Sequence, residues 1–140
     1  MNDPTVENSD VDRSVRTVSP RASSATAHEL SRSGLLSSLP GETLARLARQ
    51  MVREEVPAGT AVVQEGEDGD RFYVVLSGIL ATSQKSLGPR SLLRPGDTFG
   101  EVALAMGIPR TASVRALTPA VVASCDRATF DEFVRPLYSD

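Results

Sequence analysis

The sequence predicts a mainly β domain with flanking helices, built as a β-roll or jelly-roll barrel of about eight antiparallel strands. Three observations support this fold class. Short runs of β-branched and apolar residues follow one another closely between residues 60 and 125. Glycine and proline stand between these runs, as turns require. Apolar residues at helical spacing occur before and after this region.

The N-terminal part divides into a tail and a helical region. Residues 1–27 contain few large apolar side chains, which predicts a disordered tail, and the domain is predicted over residues 28–140. Basic residues beside hydroxyls at 13–24 allow a kinase site, although a solvated tail is the simpler interpretation. Helices are predicted from about residue 29 to residue 54, one of them starting near Pro40. Its apolar face has the spacing i, i+3, i+4 and i+7 and consists of Leu44, Leu47, Ala48 and Met51.

The central and C-terminal parts contain the strands and a last helix. Strands are predicted at residues 60–64, 72–76, 79–83, 113–116 and 121–125. Residues 85–90 are predicted to be a hairpin tip because they include Gly88 and Pro89. The glycines Gly66, Gly69, Gly78 and Gly96 are interpreted as turn residues only. Asp126 is predicted to cap a helix over residues 127–135 that Pro136 discourages from continuing. Its shared apolar face would consist of Phe130, Phe133 and Val134.

Composition excludes several classes of function. The 140 residues carry a formal net charge of -3, which argues against a nucleic-acid partner. The single cysteine, Cys125, cannot form an intramolecular disulfide and is expected in the core. The sequence shows neither a secretory signal nor an apolar run long enough to span a membrane. A cytoplasmic protein without a membrane span is therefore predicted.

Catalysis and metal binding also lack the residues they need. His28 is the only histidine, so a histidine-rich metal centre of the cupin type fails on ligand count. Ser113 and Ser124 have no histidine that could activate them as nucleophiles. The chain is therefore predicted not to be an enzyme and to carry no metal or cofactor.

One stretch, residues 99–116, carries the chemistry of a binding site. Its sequence is FGEVALAMGIPRTASVRA. Residues 102–106 predict one or two helical turns, and the free N–H groups at such a helix start attract an anion. Arg110 adds a planar fork of donors matched to phosphate oxygens. Glu101 would be repelled by phosphate, but it could accept a hydrogen bond from a ribose hydroxyl. Small residues at Ala103 and Ala112 leave room for such a sugar phosphate.

This stretch resembles the phosphate-binding cassette of cyclic-nucleotide-binding domains. These domains occur in regulatory subunits of cAMP-dependent protein kinase, in cyclic-nucleotide-gated channels and in bacterial catabolite-activator-type regulators. The resemblance covers roughly residues 35–135 and extends to four upstream segments. These are VPAG at 56–59, QEG at 64–66, FYVVLSG at 72–78 and RPGD at 94–97. It implies an eight-stranded β-roll with N-terminal helices and a C-terminal lid helix.

The resemblance also implies a ligand and the residues that hold it. The ligand would be cAMP, with cGMP as the alternative, and Glu101 would bind the ribose 2′-hydroxyl and Arg110 the cyclic phosphate. Backbone N–H groups around these two residues would complete the site. Thr111 leaves the choice between cAMP and cGMP open, because a threonine at this place often accompanies cGMP tolerance. The predicted ligand-binding residues are Gly100, Glu101, Val102, Ala103, Arg110, Thr111 and Ala112.

The hypothesis is thus a cyclic-nucleotide-sensing regulatory domain. Its signal would pass through the flanking helices at about 29–54 and 126–140 to a protein partner or a fused effector domain. The sequence ends soon after Pro136, so Leu137 or Tyr138 is expected to cap the base in place of a full lid helix. The chain shows no helix-turn-helix for DNA binding. Two alternatives stay open: a degenerate fold used as a protein-interaction scaffold, and a regulatory piece of a larger transporter, channel or enzyme.

Overall fold

The computed structural model describes residues 17–18 and 25–138. Within these residues the strands are Thr17–Val18 (β1), Val52–Val56 (β2), Ala61–Val63 (β3), Arg71–Ser77 (β4), Leu80–Gln84 (β5), Gly88–Leu93 (β6), Thr98–Phe99 (β7), Ser113–Ala116 (β8) and Ala120–Asp126 (β9). The α-helices are Ala27–Leu30 (α1), Gly41–Gln50 (α2), Glu101–Met106 (α3) and Arg127–Thr129 (α4). A 3₁₀ turn at Leu36–Ser38 joins α1 to α2. Helix α4 continues as a π-helix at Phe130–Val134 and a 3₁₀ turn at Arg135–Leu137, and residues 127–137 are called the C-terminal segment.

The strands form two antiparallel sheets. One has the order β1-β2-β9-β4-β7, and the other has the order β3-β8-β5-β6. Every strand pair is antiparallel. The predicted fold class, a β-roll of about eight antiparallel strands with flanking helices, is confirmed.

Local sequence explains where the helices begin. Thr26 and Glu29 form a capping box on α1, in which the Glu29 N–H donates to Thr26 Oγ1 over 3.1 Å and the Thr26 N–H donates to Glu29 Oε1 over 3.1 Å. Pro40 precedes α2, and its carbonyl accepts the Leu44 N–H over 2.8 Å. The predicted apolar face of this helix is buried, including Met51, which follows the last helical residue. In the described part of the chain, every helix is too short or too polar to span a bilayer.

Two hydrophobic cores share strands β4 and β9, which contribute residues to both. The helical core contains α1, α2 and the C-terminal segment, packed on Phe72, Val74 and Leu76 of β4. The roll core lies between the sheets and takes Tyr73 and Val75 from the same strand. Alternate residues of a strand point to opposite faces, so β4 is buried on both faces. Cys125 is 1% exposed in the helical core, as predicted, and burial raises the pKa of its thiol to about 12.

The N-terminal helices end earlier than predicted. Helix α2 stops at Gln50, and the residues predicted to continue helically to 54 begin strand β2 instead. This strand pairs along its whole length with β9, from Val52 opposite Ser124 to Val56 opposite Ala120. The apolar helical spacing ends at Met51, and pairing with β9 sets the conformation of the residues that follow.

The predicted hairpin tip at 85–90 is shorter in the structure. Residues 85–87 form the turn, and Gly88 already starts β6. Pro89 is tolerated there because β6 is the outer strand of its sheet, where a missing N–H breaks no inner ladder bond.

At both ends of the described chain, the structure contains elements that the sequence did not predict. The Asp126 cap is confirmed, since its Oδ1 accepts the Thr129 N–H over 2.9 Å, but the C-terminal segment runs on through Pro136 as a 3₁₀ turn. Within the predicted tail, β1 pairs with β2 and Ala25 is 4% exposed, while the division of the chain into a tail and a domain at residues 27 and 28 stays a prediction. Thr26 and Ala27 belong to the start of α1, and the remaining residues of the predicted tail, 1–16 and 19–24, lie outside the described residues.

Candidate functional site

The residue before helix α3 is a glycine in a backbone conformation that other residues adopt only with strain. Gly100 has φ 93°, in the left-handed region, and no side chain caps the helix start. A Cβ at this position would lie 2.7 Å from the carbonyl oxygen of Arg71 and 2.8 Å from Nη1 of Arg110. The glycine therefore lets the first turn of α3 approach Arg110, with its backbone N–H groups free of a side-chain cap.

A cavity of about 120 Å³ lies beside this first turn. All seven residues predicted for the site line it: Gly100, Glu101, Val102, Ala103, Arg110, Thr111 and Ala112. The structure thus brings them together, while their contact with a ligand stays a prediction. The other lining residues come from the strands of the roll and are Val63, Thr82, Phe99 and Val114.

Arg110 is 7% exposed, and the protein already orients its side chain. Nη1 donates to the Gly100 carbonyl over 3.3 Å, and Nη2 donates to the Arg71 carbonyl over 3.1 Å. The guanidinium carbon lies 5.8 Å from the ring centroid of Tyr73. Burial lowers the pKa of Arg110 from its ordinary value, and nearby Tyr73 and acidic side chains oppose this shift.

The backbone of Arg110 is fixed to the loop between β3 and β4. Its N–H donates to the Glu67 carbonyl over 2.8 Å, and its carbonyl accepts the Gly66 N–H over 2.9 Å. These two bonds hold the arginine against the acidic loop at residues 65–70. The guanidinium therefore sits at a defined depth in the cavity wall.

Glu101, in contrast, has an oxygen without a partner. Its Oε1 is buried and finds no hydrogen-bond donor among the described residues. Since a buried acceptor normally has a donor, this atom is open to a donor from a bound molecule. A hydroxyl group in the cavity would supply one.

Gly69 belongs to the site, although its sequence context indicated only a turn. It is buried, and a Cβ there would lie 2.7 Å from both Ala103 Cβ and Arg110 Nε. Gly69 is therefore needed for close packing against the arginine, which corrects the turn-only interpretation. No local sequence signal separates such a packing glycine from a turn glycine.

The C-terminal segment contacts the last turn of α3. Arg127 Nη1 donates to the Leu104 carbonyl over 3.0 Å, and its Nη2 donates to the Gly69 carbonyl over 3.4 Å. Arg135 donates to the carbonyls of Leu104 and Ala105 over 3.3 and 3.4 Å. The side chain of Leu104 is also part of the helical core. Helix α3 is thus joined to the C-terminal segment by polar and apolar contacts.

Tyr138, one of the two residues expected to cap a base, lies near Glu101. Burial and then the charge of Glu101 raise the pKa of its hydroxyl to about 12, while a hydrogen bond with the Thr98 side chain opposes this. Its ring lies 6.5 Å from that of Phe130. Neither Leu137 nor Tyr138 is among the described residues that line the cavity, so their capping role stays a prediction.

Comparisons with known proteins identify the family. The sequence profile of the family described as "Cyclic nucleotide-binding domain" matches residues 53–136. The chain is 37% identical over 102 residues to the cAMP-dependent protein kinase regulatory subunit of Debaryomyces hansenii, covering 73% of this chain and 23% of that protein. It is 30% identical over 117 residues to the CRP-like cAMP-activated global transcriptional regulator of Mycobacterium tuberculosis, covering 79% of this chain and 52% of that one. The chain therefore spans about a quarter of the first relative's length and about half of the second's.

A solved structure agrees with these matches. The regulatory domain of Toxoplasma gondii PKA, co-crystallised with cAMP, superimposes with a TM-score of 0.73 at 28% sequence identity. The superposition covers 79% of this chain and 44% of that chain. The chain belongs to the cyclic nucleotide-binding domain family.

Proposed function

We propose that this chain is a cyclic-nucleotide-sensing domain that binds cAMP, or cGMP, in the cavity beside α3. Arg110 and the backbone N–H groups around the first turn of α3 and at Thr111 and Ala112 hold the cyclic phosphate. Glu101 accepts a hydrogen bond from the ribose 2′-hydroxyl. Val102 and Ala103 form the wall against which the sugar phosphate packs.

One observation carries this proposal: a buried guanidinium and a buried, unpartnered carboxylate oxygen meet at one cavity. The two side-chain bonds of Arg110 go to backbone carbonyls, which leaves further N–H donors of the guanidinium for an anion. Oε1 of Glu101 is buried and accepts no hydrogen bond from the described residues, so a donor from a bound molecule would satisfy it. A molecule that offers an anion and a vicinal hydroxyl satisfies both groups, and a ribose cyclic phosphate is such a molecule.

The contacts of α3 support a route for the signal. A ligand shifts an equilibrium only through differential affinity for two arrangements. Movement of the first turn of α3 around a phosphate would displace its last turn, where Arg127 and Arg135 bind the carbonyls of Leu104 and Ala105. The C-terminal segment would move with it and pass the change to a protein partner or a further domain.

The names of the relatives suit this role. They are a kinase regulatory subunit and a transcriptional regulator, not enzymes by name. We infer that this chain likewise regulates an effector without catalysing a reaction itself. A cytoplasmic location stays part of this proposal.

The testing experiment is a titration of the chain with cAMP and with cGMP, followed by backbone amide NMR. We expect saturable shifts concentrated in residues 99–116 and smaller ones in the C-terminal segment. The matched control is adenosine, which offers the ribose and base without the phosphate and should bind far more weakly. Unchanged spectra at millimolar cyclic nucleotide would contradict the proposal and favour the scaffold alternative.

A further inference from the structure

Three side chains from different parts of the chain form a stack beside the cavity. Tyr73 of β4 is paired with Phe99 of β7, and their rings lie 4.7 Å apart at an interplanar angle of 3°. The guanidinium carbon of Arg110 lies 5.8 Å from the Tyr73 ring centroid. All three side chains are buried, with exposed fractions of 4, 6 and 7% for Tyr73, Phe99 and Arg110.

The guanidinium of Arg110 also lies close to the backbone of Gly69. A Cβ on Gly69 would lie 2.7 Å from Nε and 2.8 Å from Cζ of Arg110. The guanidinium therefore packs closely against Gly69 as well as near the Tyr73 ring. The ring is itself held by Phe99 and by its place in the roll core.

A ring at this distance acts on a guanidinium in two ways. Its negative face attracts the cation, and the attraction is strongest where water is excluded. Its bulk also limits the rotamers of the Arg110 side chain. Less rotational freedom is then lost when a ligand binds. The carbonyls of Gly100 and Arg71 fix two N–H groups, and the ring adds a contact that they do not provide.

We propose that Tyr73 is a positioning residue that, supported by Phe99, holds the guanidinium of Arg110 ready for the anion. The effect on ligand affinity rests on the proposed function, whereas the effect on Arg110 itself does not. The electron density of the ring, and not the hydroxyl of Tyr73, is the property that matters.

Graded fluorination of the ring tests this directly. In the full chain, Tyr73 is replaced by Phe and then by phenylalanines with one, two and three ring fluorines, which weaken the negative face with little change in shape. We expect Tyr73→Phe to bind cAMP within about twofold of the unsubstituted chain, and the trifluorinated ring to bind about tenfold more weakly, with intermediate steps between. Equal thermal midpoints across the series would show that the fold is retained.

Phe72 provides the matched control. It lies on the same strand but faces the helical core, 5.4 Å from Phe130. The same fluorinated residues at position 72 should leave cAMP affinity unchanged. A flat series at position 73, or an equal slope at position 72, would overturn the proposal.

A second measurement needs no ligand. The Nε–Hε signal of Arg110, assigned by its loss in Arg110→Lys, should be sharp and slow to exchange in the unliganded chain, and should broaden as fluorines are added at position 73. An Arg110 signal that is unchanged through the series would also overturn the proposal. If no variant and not even the unsubstituted chain binds cAMP, the proposed function fails, and this signal still decides whether Tyr73 positions the arginine.

Discussion

The two charged side chains of the cavity differ in how far the unliganded protein satisfies them. Arg110 donates to two backbone carbonyls and lies over an aromatic ring. Glu101 keeps a buried oxygen that finds no donor among the described residues. An unsatisfied buried polar group costs about 1–3 kcal/mol. The side chain of Arg110 is therefore oriented without a ligand, whereas Glu101 keeps an unsatisfied oxygen that the proposed ligand would satisfy.

This difference predicts that the two side chains affect different quantities, Arg110 the affinity and Glu101 the stability of the unliganded chain. A pre-oriented guanidinium loses little freedom on binding, so it contributes mainly to affinity. A carboxylate oxygen that lacks a donor lowers the stability of the unliganded state, and under the proposed function a ligand hydroxyl would restore this energy on binding. Ligand binding should therefore stabilise this domain partly by removing a defect on the glutamate side.

Removing the arginine side should have the largest effect. We expect Arg110→Ala to weaken cAMP binding by at least about 100-fold, because a desolvated phosphate would lose its charged partner. Arg110→Lys should bind cAMP with an affinity between those of Arg110→Ala and the unsubstituted chain, because a lysine keeps the charge but lacks the planar fork of donors. Isothermal calorimetry measures both. Arg115→Ala, an exposed arginine on β8, is the control and should bind like the unsubstituted chain. Equal binding by Arg110→Ala would mean that the phosphate lies elsewhere.

Crowding the arginine should have the next largest effect. The Cβ added by Gly69→Ala would lie 2.7 Å from Arg110 Nε, so the guanidinium must shift. We expect about 30-fold weaker cAMP binding, together with about 1–3 kcal/mol less unfolding free energy from overpacking. Calorimetry and urea unfolding measure these two quantities. Gly34→Ala is the matched control, because a Cβ there meets nothing within 4 Å. Unaltered affinity in Gly69→Ala would show that the observed arginine position is not the binding one.

Changing the glutamate side should give effects of opposite sign. Glu101→Gln replaces a half-buried carboxylate, one oxygen of which is unpartnered, by a neutral amide, so we expect about 1 kcal/mol more unfolding free energy without ligand and about tenfold weaker cAMP binding. Urea unfolding with and without cAMP measures both. Glu42→Gln, an exposed substitution in the first turn of α2, is the control and should change neither the unfolding free energy nor the affinity for cAMP. A loss of unliganded stability in Glu101→Gln would argue that Oε1 has a partner.

The smallest effect should come from Thr111, next to the arginine. We expect the hydroxyl of Thr111 to accept a hydrogen bond from the amino group of a guanine base, which adenine lacks at that position, so Thr111→Ala should weaken cGMP binding about threefold and leave cAMP binding unchanged. Competition between the two nucleotides measures the ratio. Thr111→Ser keeps the hydroxyl and should keep the ratio. Parallel losses for both nucleotides in Thr111→Ala would assign the residue to the phosphate or ribose.

The site could be predicted from sequence where its residues are consecutive. Residues 99–116 form a turn, a short helix and the start of a strand, so Glu101 and Arg110 had to return to the same neighbourhood. Gly69 and Tyr73 were missed because they reach Arg110 only through the pairing of distant strands. Strand β4 is apolar on both faces, and its pattern therefore gives no sign of which residues face the arginine.

The fold was predictable in class and less so in its boundaries. Glycine, proline and β-branched runs identified the strands at 71–77 and 113–116. Strand β2 was assigned to a helix because its charged residues, Arg53 to Glu55, carry no period-2 apolar signal. Its conformation is set by pairing with β9, which lies about 70 residues later in the chain.

The position of β4 between the two cores limits which substitutions and which strand register this domain can tolerate. Phe72 and Val74 support the helices, while Tyr73, between them in sequence, lies under the arginine. A shift of the register of this strand by one residue would exchange these faces and place Phe72 or Val74, in place of Tyr73, beneath the guanidinium. Substitutions are therefore expected to be tolerated better on the exposed faces of the helices than in β4, on which both cores depend.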